Sequence, residues 1–167
     1  MSSILAGGDV IETPRLRLEI ATRAHLESQA TWVETALKPE WTVADLGVWV
    51  DSGNALVIQD LGGPVAGLAT VALDRPLAGA AVIPFLTIQP ERRYRGLGGE
   101  AAIAIERRLR RQGFERVFAC VPDTRGLAVY FWLRLGFRPL VRADAPWVLM
   151  SLDEISPSGI WMVRDRD

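Results

Sequence analysis

The chain of 167 residues has one cysteine, one histidine and two tyrosines, and of its 19 basic residues only Lys38 is a lysine. A lone Cys120 forms no internal disulfide. Its neighbours Ala119 and Val121 suggest a buried strand position rather than an activated thiol, and a reducing interior suits it. No window approaches the roughly 18 consecutive apolar residues of a membrane span. The opening MSSILAGGDV has neither a basic n-region nor a long apolar h-region, so the expectation is a cytoplasmic protein with no membrane partner. A formal net charge of -1 lacks the basic excess that displaces counterions from nucleic acid, and no nucleic-acid partner is expected. The near-absence of lysine reads first as a composition bias, with a need for planar guanidinium groups as the alternative.

What is present is ordinary globular material: 49% apolar and 23% charged residues can build a core. The length fits one domain over residues 1–167, with a core of about 11–152 and a C-terminal tail from 153. RLRLEI, residues 15–20, alternates as a strand with Leu16, Leu18 and Ile20 inward. After Thr22 as N-cap, Leu26, Ala30, Val33 and Leu37 form one helical stripe that Pro39 ends, and a second short helix covers 43–50. Trp41 and Trp49 read as core, with a ligand wall as the alternative.

Residues 55–74 give two strands around a turn at Leu61 to Pro64, where Gly62 and Gly63 tolerate positive φ. The next strand, from Ala80, is interrupted by Pro84, which removes a ladder donor; it should carry a bulge or lie where pairing is already broken. Gly96, Gly98 and Gly99 open a helix with a buried stripe of Ala102, Ile105 and Leu109, stopped at Gly113. The arginines near its end suit the helix dipole and need no ligand. A strand over 116–121, a helix ending at Gly136, and two closing strands, FRPLVRA and WVLMSL, complete a mixed α/β domain. The apolar GIWMV of the tail docks on its own domain or on a second copy, which leaves a homodimer open.

A strand running into glycines and then a helix bares backbone N–H groups at the positive end of a dipole, a ready site for phosphate oxygens. The glycines alone are equally consistent with a tight loop that binds nothing. Gly96 to Ala101 formally matches G-x-G-x-x-A, but Pro90 to Arg95 intervene and hairpins precede it, unlike a dinucleotide-binding unit. No G-K-[ST] follows, which excludes a Walker A loop.

Arg93-Tyr94-Arg95-Gly96-Leu97-Gly98 resembles [Q/R]-x-x-G-x-[G/A], the acyl-CoA pyrophosphate loop of the GNAT N-acetyltransferase superfamily. Val121, Ala128 and Gly136-Phe137 match the strand and helix that follow it in that family. ETPRLRLEI is similar to the first strand of the RimJ/RimL-type branch. The resemblance covers about residues 11–152 and implies a mostly antiparallel sheet splayed between its fourth and fifth strands and flanked by about four helices. It implies acetyl-CoA as cosubstrate, no metal, and a small-molecule or peptide amine as acceptor. Main-chain groups of Arg93, Tyr94, Arg95, Gly96, Leu97 and Gly98 would cradle the pyrophosphate, and that of Ile88 would meet the pantetheine, beside Ala128. The acyl thioester would lie between the splayed strands. Arg125 replaces the family's usual asparagine and would meet a CoA phosphate or solvent.

Direct attack by an amine in a ternary complex needs that amine neutral. An α-amine of pKa about 8 is roughly a tenth neutral at pH 7, a lysine amine near 10.4 less than about a thousandth. Yet 80–88 offers only Thr87 and no base, and the family's tyrosine position holds Trp132, whose indole N–H donates but does not give up its proton. Weak candidates for proton transfer are Asp123, Glu19, Glu40, Asp45 and Tyr130, the last expected to face away from Trp132. Asp123 reads equally as a helix cap, and His25 as a packing residue. The expectation is therefore catalysis by positioning, on an N-terminal or small-molecule amine. A non-catalytic acyl-CoA-binding or sensing module is the alternative.

Overall fold

Alternation in LRLEI does what its period requires: Leu16 and Leu18 are buried in a strand whose other face is half-exposed. The computed structural model describes residues 3–39, 41–122, 125–141, 146–156 and 159–167. Its strands are β1 Ile11–Glu12, β2 Leu16–Ile20, β3 Ala55–Asp60, β4 Val65–Leu73, β5 Ala80–Ile88, β6 Arg116–Pro122, β7 Arg138–Pro139 and β8 Gly159–Asp165. The helices are α1 Arg23–Ser28, α2 Ala30–Leu37, α3 Val43–Asp51, α4 Leu97–Arg111, α5 Ala128–Arg134 and α6 Pro146–Ile155. One sheet runs β1-β2-β3-β4-β5-β6-β8-β7, antiparallel throughout except for the parallel pair β5–β6. That topology is the mostly antiparallel sheet expected, and it removes the dinucleotide-binding alternative, which needs a parallel sheet.

Two layers of helix cover the sheet. On one face α4 and α5 bury Ala101, Ile105, Leu109 and Trp132 against Leu18, Ile58 and Val117. Each fully buried Ile or Leu there contributes roughly 1.5–3 kcal/mol. On the other face α1 to α3 cover β3 and β4 through Leu26, Val33 and Leu46, while α6 covers β5, β6 and β8 through Val148 and Leu152.

Three segments differ from expectation. Of the stripe after Thr22, Leu26, Val33 and Leu37 are buried and Ala30 is half-buried, but it divides at Gln29 (φ -109°), which ends α1 and begins α2. WVLMSL is not a strand: Val148 and Leu152 are buried and Trp147 and Met150 exposed, so the buried residues recur at the four-residue spacing of a helix, here with Pro146 at its start. Of FRPLVRA only Arg138–Pro139 pairs in the sheet; Arg142 and Ala143 lie outside the described residues. The strand sought in WVLMSL is instead supplied by the tail. GIWMV begins β8, paired with β6 over its whole length, so Trp161, Met162 and Val163 are buried within their own sheet.

Candidate active site

The sheet opens where Pro84 stands. Parallel pairing of β5 with β6 runs from Ala80 opposite Arg116 to Ile83 opposite Ala119 and goes no further. On its other side, β5 has two residues, Ile83 and Pro84, between Val82 and Phe85 where β4 has only Val71 between Ala72 and Thr70, a bulge at Ile83 and Pro84. Proline thus coincides with both a bulge and an end of pairing. Beyond it, 84–88 and 120–122 diverge around a cavity of about 480 Å³. A larger hollow of about 720 Å³, lined by Arg107, Arg111, Arg134 and Arg164, touches neither β5 nor β6.

Ile88, Arg93, Tyr94, Gly96, Leu97, Gly98, Arg125 and Ala128 all line the cavity between the strands. Gly96 caps α4 with φ 77°, and the first helical bond is donated by the N–H of Glu100 to the Gly96 carbonyl. The N–H groups of Leu97, Gly98 and Gly99 therefore precede the helical ladder. A Cβ on Gly98 would lie 3.5 Å from both Ile88 and Phe131, so the bare glycine keeps this part of the cavity open. Tyr94 also adopts positive φ, 64°, with its ring fully exposed. These features fit a diphosphate, whose oxygens accept from backbone N–H groups at a helix start.

Three side-chain ties hold the loop. Arg93 Nε donates to the Ile88 carbonyl at 2.9 Å, and Arg92 Nη2 meets Asp60 at the end of β3 at 2.6 Å. Glu100 accepts from Thr13 Oγ1, from the Arg15 N–H at 3.0 Å and from Arg15 Nε at 2.6 Å, while Arg15 Nη1 donates to the Arg95 carbonyl at 2.8 Å. Burial opposes ionisation of Glu100, but donation from Thr13 and Arg15 outweighs it and holds the carboxyl below the ordinary glutamate value. The exposed side chain of Arg95 does not line the cavity.

At the opposite end the walls are Ala36, Leu37, Trp41, Phe85, Cys120 and Ser156. Trp41 stacks on Phe85 with centroids 5.8 Å apart and donates its Nε1–H to Ser156 Oγ at 3.5 Å, so it serves both core and cavity. Arg125 reaches across to α2, donating from Nη2 to the Ala36 carbonyl at 2.8 Å.

The candidates for proton transfer are not assembled there. Tyr130 is exposed and outside the cavity, as its helical angle from Trp132 requires. Trp132 lines the cavity, 4% exposed, between Phe131 and Phe137. Asp45 caps α3, His25 Nδ1 accepts the Thr22 N–H in the cap of α1, and Glu19 accepts from Gln59. Glu40 and Asp123 lie outside the described residues. Sequence reading missed Gly67, where a Cβ would sit 2.3 Å from the Thr87 oxygen, because its partner lies on the next strand. It also missed Glu100, whose partners are 85 or more positions away.

Strands that part around a cavity beside a glycine-opened helix leave room for an extended ligand with a phosphate group at the helix start. The model of the acetyltransferase (GNAT) family matches residues 20–137, and the chain belongs to that family of acetyl-CoA-dependent acyltransferases. The fold is similar to that of an acetyltransferase from Thermus thermophilus, at 21% identity and TM-score 0.68, over 94% of this chain and 99% of that one. It is similar to N-acetylglutamate synthase from Neisseria gonorrhoeae, complexed with coenzyme A and N-acetyl-glutamate, at 14% identity and TM-score 0.72. That match covers 93% of this chain, which spans only 36% of the Neisseria protein. A ribosomal-protein-alanine N-acetyltransferase from Brucella melitensis matches at 15% identity and TM-score 0.64, over 89% of this chain and 98% of that one. No curated protein matches the sequence. Among the described residues no helix is long and apolar enough to cross a membrane.

Proposed function

We propose that the chain transfers the acetyl group of acetyl-CoA directly to a primary amine of low pKa, N-terminal or small-molecule, in a ternary complex. The observation that carries this reading is the end of β5–β6 pairing at Ile83 and Ala119, on a cavity that leads to the glycine start of α4. Main-chain N–H groups from Arg93 to Gly98 cradle the diphosphate, the Ile88 main chain meets the pantetheine arm, and Ala128 leaves it room. The amine nitrogen attacks the thioester carbonyl carbon, the C–S bond breaks, and the departing thiolate takes the proton shed by the amine. With no carboxylate among the described cavity residues, catalysis rests on positioning and on polarisation of the carbonyl by backbone dipoles. An amine already neutral suits such a site. The ETPRLRLEI strand and the fold shared with the Brucella enzyme support a place in the RimJ/RimL-like branch.

Initial rates against both substrates test the mechanism, because Cys120 also lines the cavity. Intersecting lines and activity retained in Cys120→Ala are expected; parallel lines, lost with the thiol, would show a covalent acyl-enzyme. Faster acetylation of lysine side chains than of weaker amines would overturn the substrate class. Trp132 in place of a phenol favours a second reading, an idle acyl-CoA-binding module, which tight acetyl-CoA binding without turnover on any amine would select.

A further inference from the structure

The charged side chains lining the cleft, among the described residues, are all arginine: Arg92, Arg93, Arg125 and Arg134. Arg92 is neutralised by Asp60, and Arg93 is tied to Ile88 beside the glycine loop. Arg134 is exposed at the outer lip, shared with the hollow beside α4. Like Arg93, Arg125 bonds a single backbone carbonyl, but it does so away from the glycine loop, against α2. It is half-buried, its one described partner is the Ala36 carbonyl, which uses a single N–H of five, and among the described residues no carboxylate pairs with it. That contact places the guanidinium at the α2 end of the cleft, where Trp41 and Phe85 form a flat apolar wall.

From these neighbours, and resting on the acetyl-transfer reading of the cleft, we infer that the acceptor is an apolar, preferably aromatic, amine that carries a carboxylate. The carboxylate takes the remaining N–H groups of the Arg125 fork, the body of the molecule lies against Trp41 and Phe85, and the amine points into the gap between β5 and β6. Arginine suits this task because its planar fork matches both oxygens of a carboxylate. The same charge repels a simple ammonium, so the cleft selects against cationic amines such as lysine side chains and polyamines.

The test is an acceptor panel built as matched pairs: 4-aminobenzoate against 4-aminobenzamide, and phenylalanine against phenylalaninamide, with rates referred to the neutral amine fraction. The carboxylate member of at least one pair should be preferred by about tenfold or more in kcat/KM, mainly through KM, as for a charge-assisted hydrogen bond. Arg125→Met should bring that ratio close to one, and Arg125→Lys should restore only part of it. Acetylation of the amines with no carboxylate preference in either pair, or a preference that survives Arg125→Met, overturns this inference and leaves acetyl transfer standing. Acetyl-CoA binding with no amine acetylated overturns both.

Discussion

Trp132 and Phe137 stand edge to face with ring centroids 4.9 Å apart, the apolar contact of the turn that ends α5. There the Phe137 N–H donates to the Trp132 carbonyl at 3.1 Å and the Gly136 N–H to that of Leu133 at 3.0 Å, with Gly136 at φ 90°. This is a Schellman motif, which brings its third-last helical residue against the second residue beyond the cap. The Gly-Phe pair of the family motif is therefore a helix stop, and Trp132 is its packing partner.

Trp132→Phe should keep kcat within about threefold, since no proton passes through the indole, whereas Trp132→Ala should lose on the order of 3 kcal/mol of stability. Steady-state kinetics and urea unfolding measure the two effects. A hundredfold loss of kcat in Trp132→Phe would place the indole N–H in the chemistry.

Glu100 gives the loop an acid limit. Its folded value lies below the ordinary one, so its contribution is complete above the unfolded value near about 4.3 and is lost as pH falls through the lower folded value. Asp51, lowered by its hydrogen bond from Arg23, shifts in the same direction, so the difference between variants isolates Glu100. Stability of Glu100→Gln measured from pH 7 to 3 should start lower and fall less than that of the parent. Equal slopes would count against the clasp.

Gly67 and Gly99 should behave oppositely. A Cβ at Gly67 meets the Thr87 oxygen at 2.3 Å and Ile88 Cδ1 at 2.8 Å, so backbone must move and Gly67→Ala should cost on the order of 2 kcal/mol. It should also weaken acetyl-CoA binding, because Ile88 lines the cleft. At Gly99 the nearest neighbour is Leu135 at 4.0 Å, and Gly99→Ala should stabilise by up to about 1 kcal/mol through helix propensity. Thermal melts and calorimetry distinguish them.

Removal of residues 153–167 should abolish folding, since β8 pairs with all seven residues of β6 and stands between β6 and β7. The same strand carries Arg164, which meets buried Glu106 at 3.1 Å, with Arg110 at 3.2 Å on the other oxygen. Glu106→Gln leaves Arg110 without its carboxylate and Arg164 with only the exposed Asp167 at 4.0 Å, and should cost about 2 kcal/mol in urea unfolding. A truncated chain that keeps its secondary structure and acetyl-CoA binding would refute the central role of β8.

Much was legible because its cause is local. The Gly113 stop of α4 is a second Schellman turn, with Phe114 N–H to Leu109 O and Gly113 N–H to Arg110 O. Pro84 announced a defect in β5, and the bulge and the end of pairing both fall there. WVLMSL was misread because a short apolar run has no decisive period until a sheet face is opposite it. Arg125 could be named as a replacement but not placed, since its partner Ala36 is 89 positions away.

By itself the sequence determined the alternating strands, the glycine-opened helix and the loop that marks the family, each set by steric limits and periodicity over a few residues. Tertiary structure decided the order of the last strands, the Glu100 clasp and the pairing of an aromatic wall with Arg125 at the far end of the cleft. Those depend on chain segments tens of residues apart meeting across a sheet, and burial and ion pairing act on distance in space, which a linear pattern does not carry.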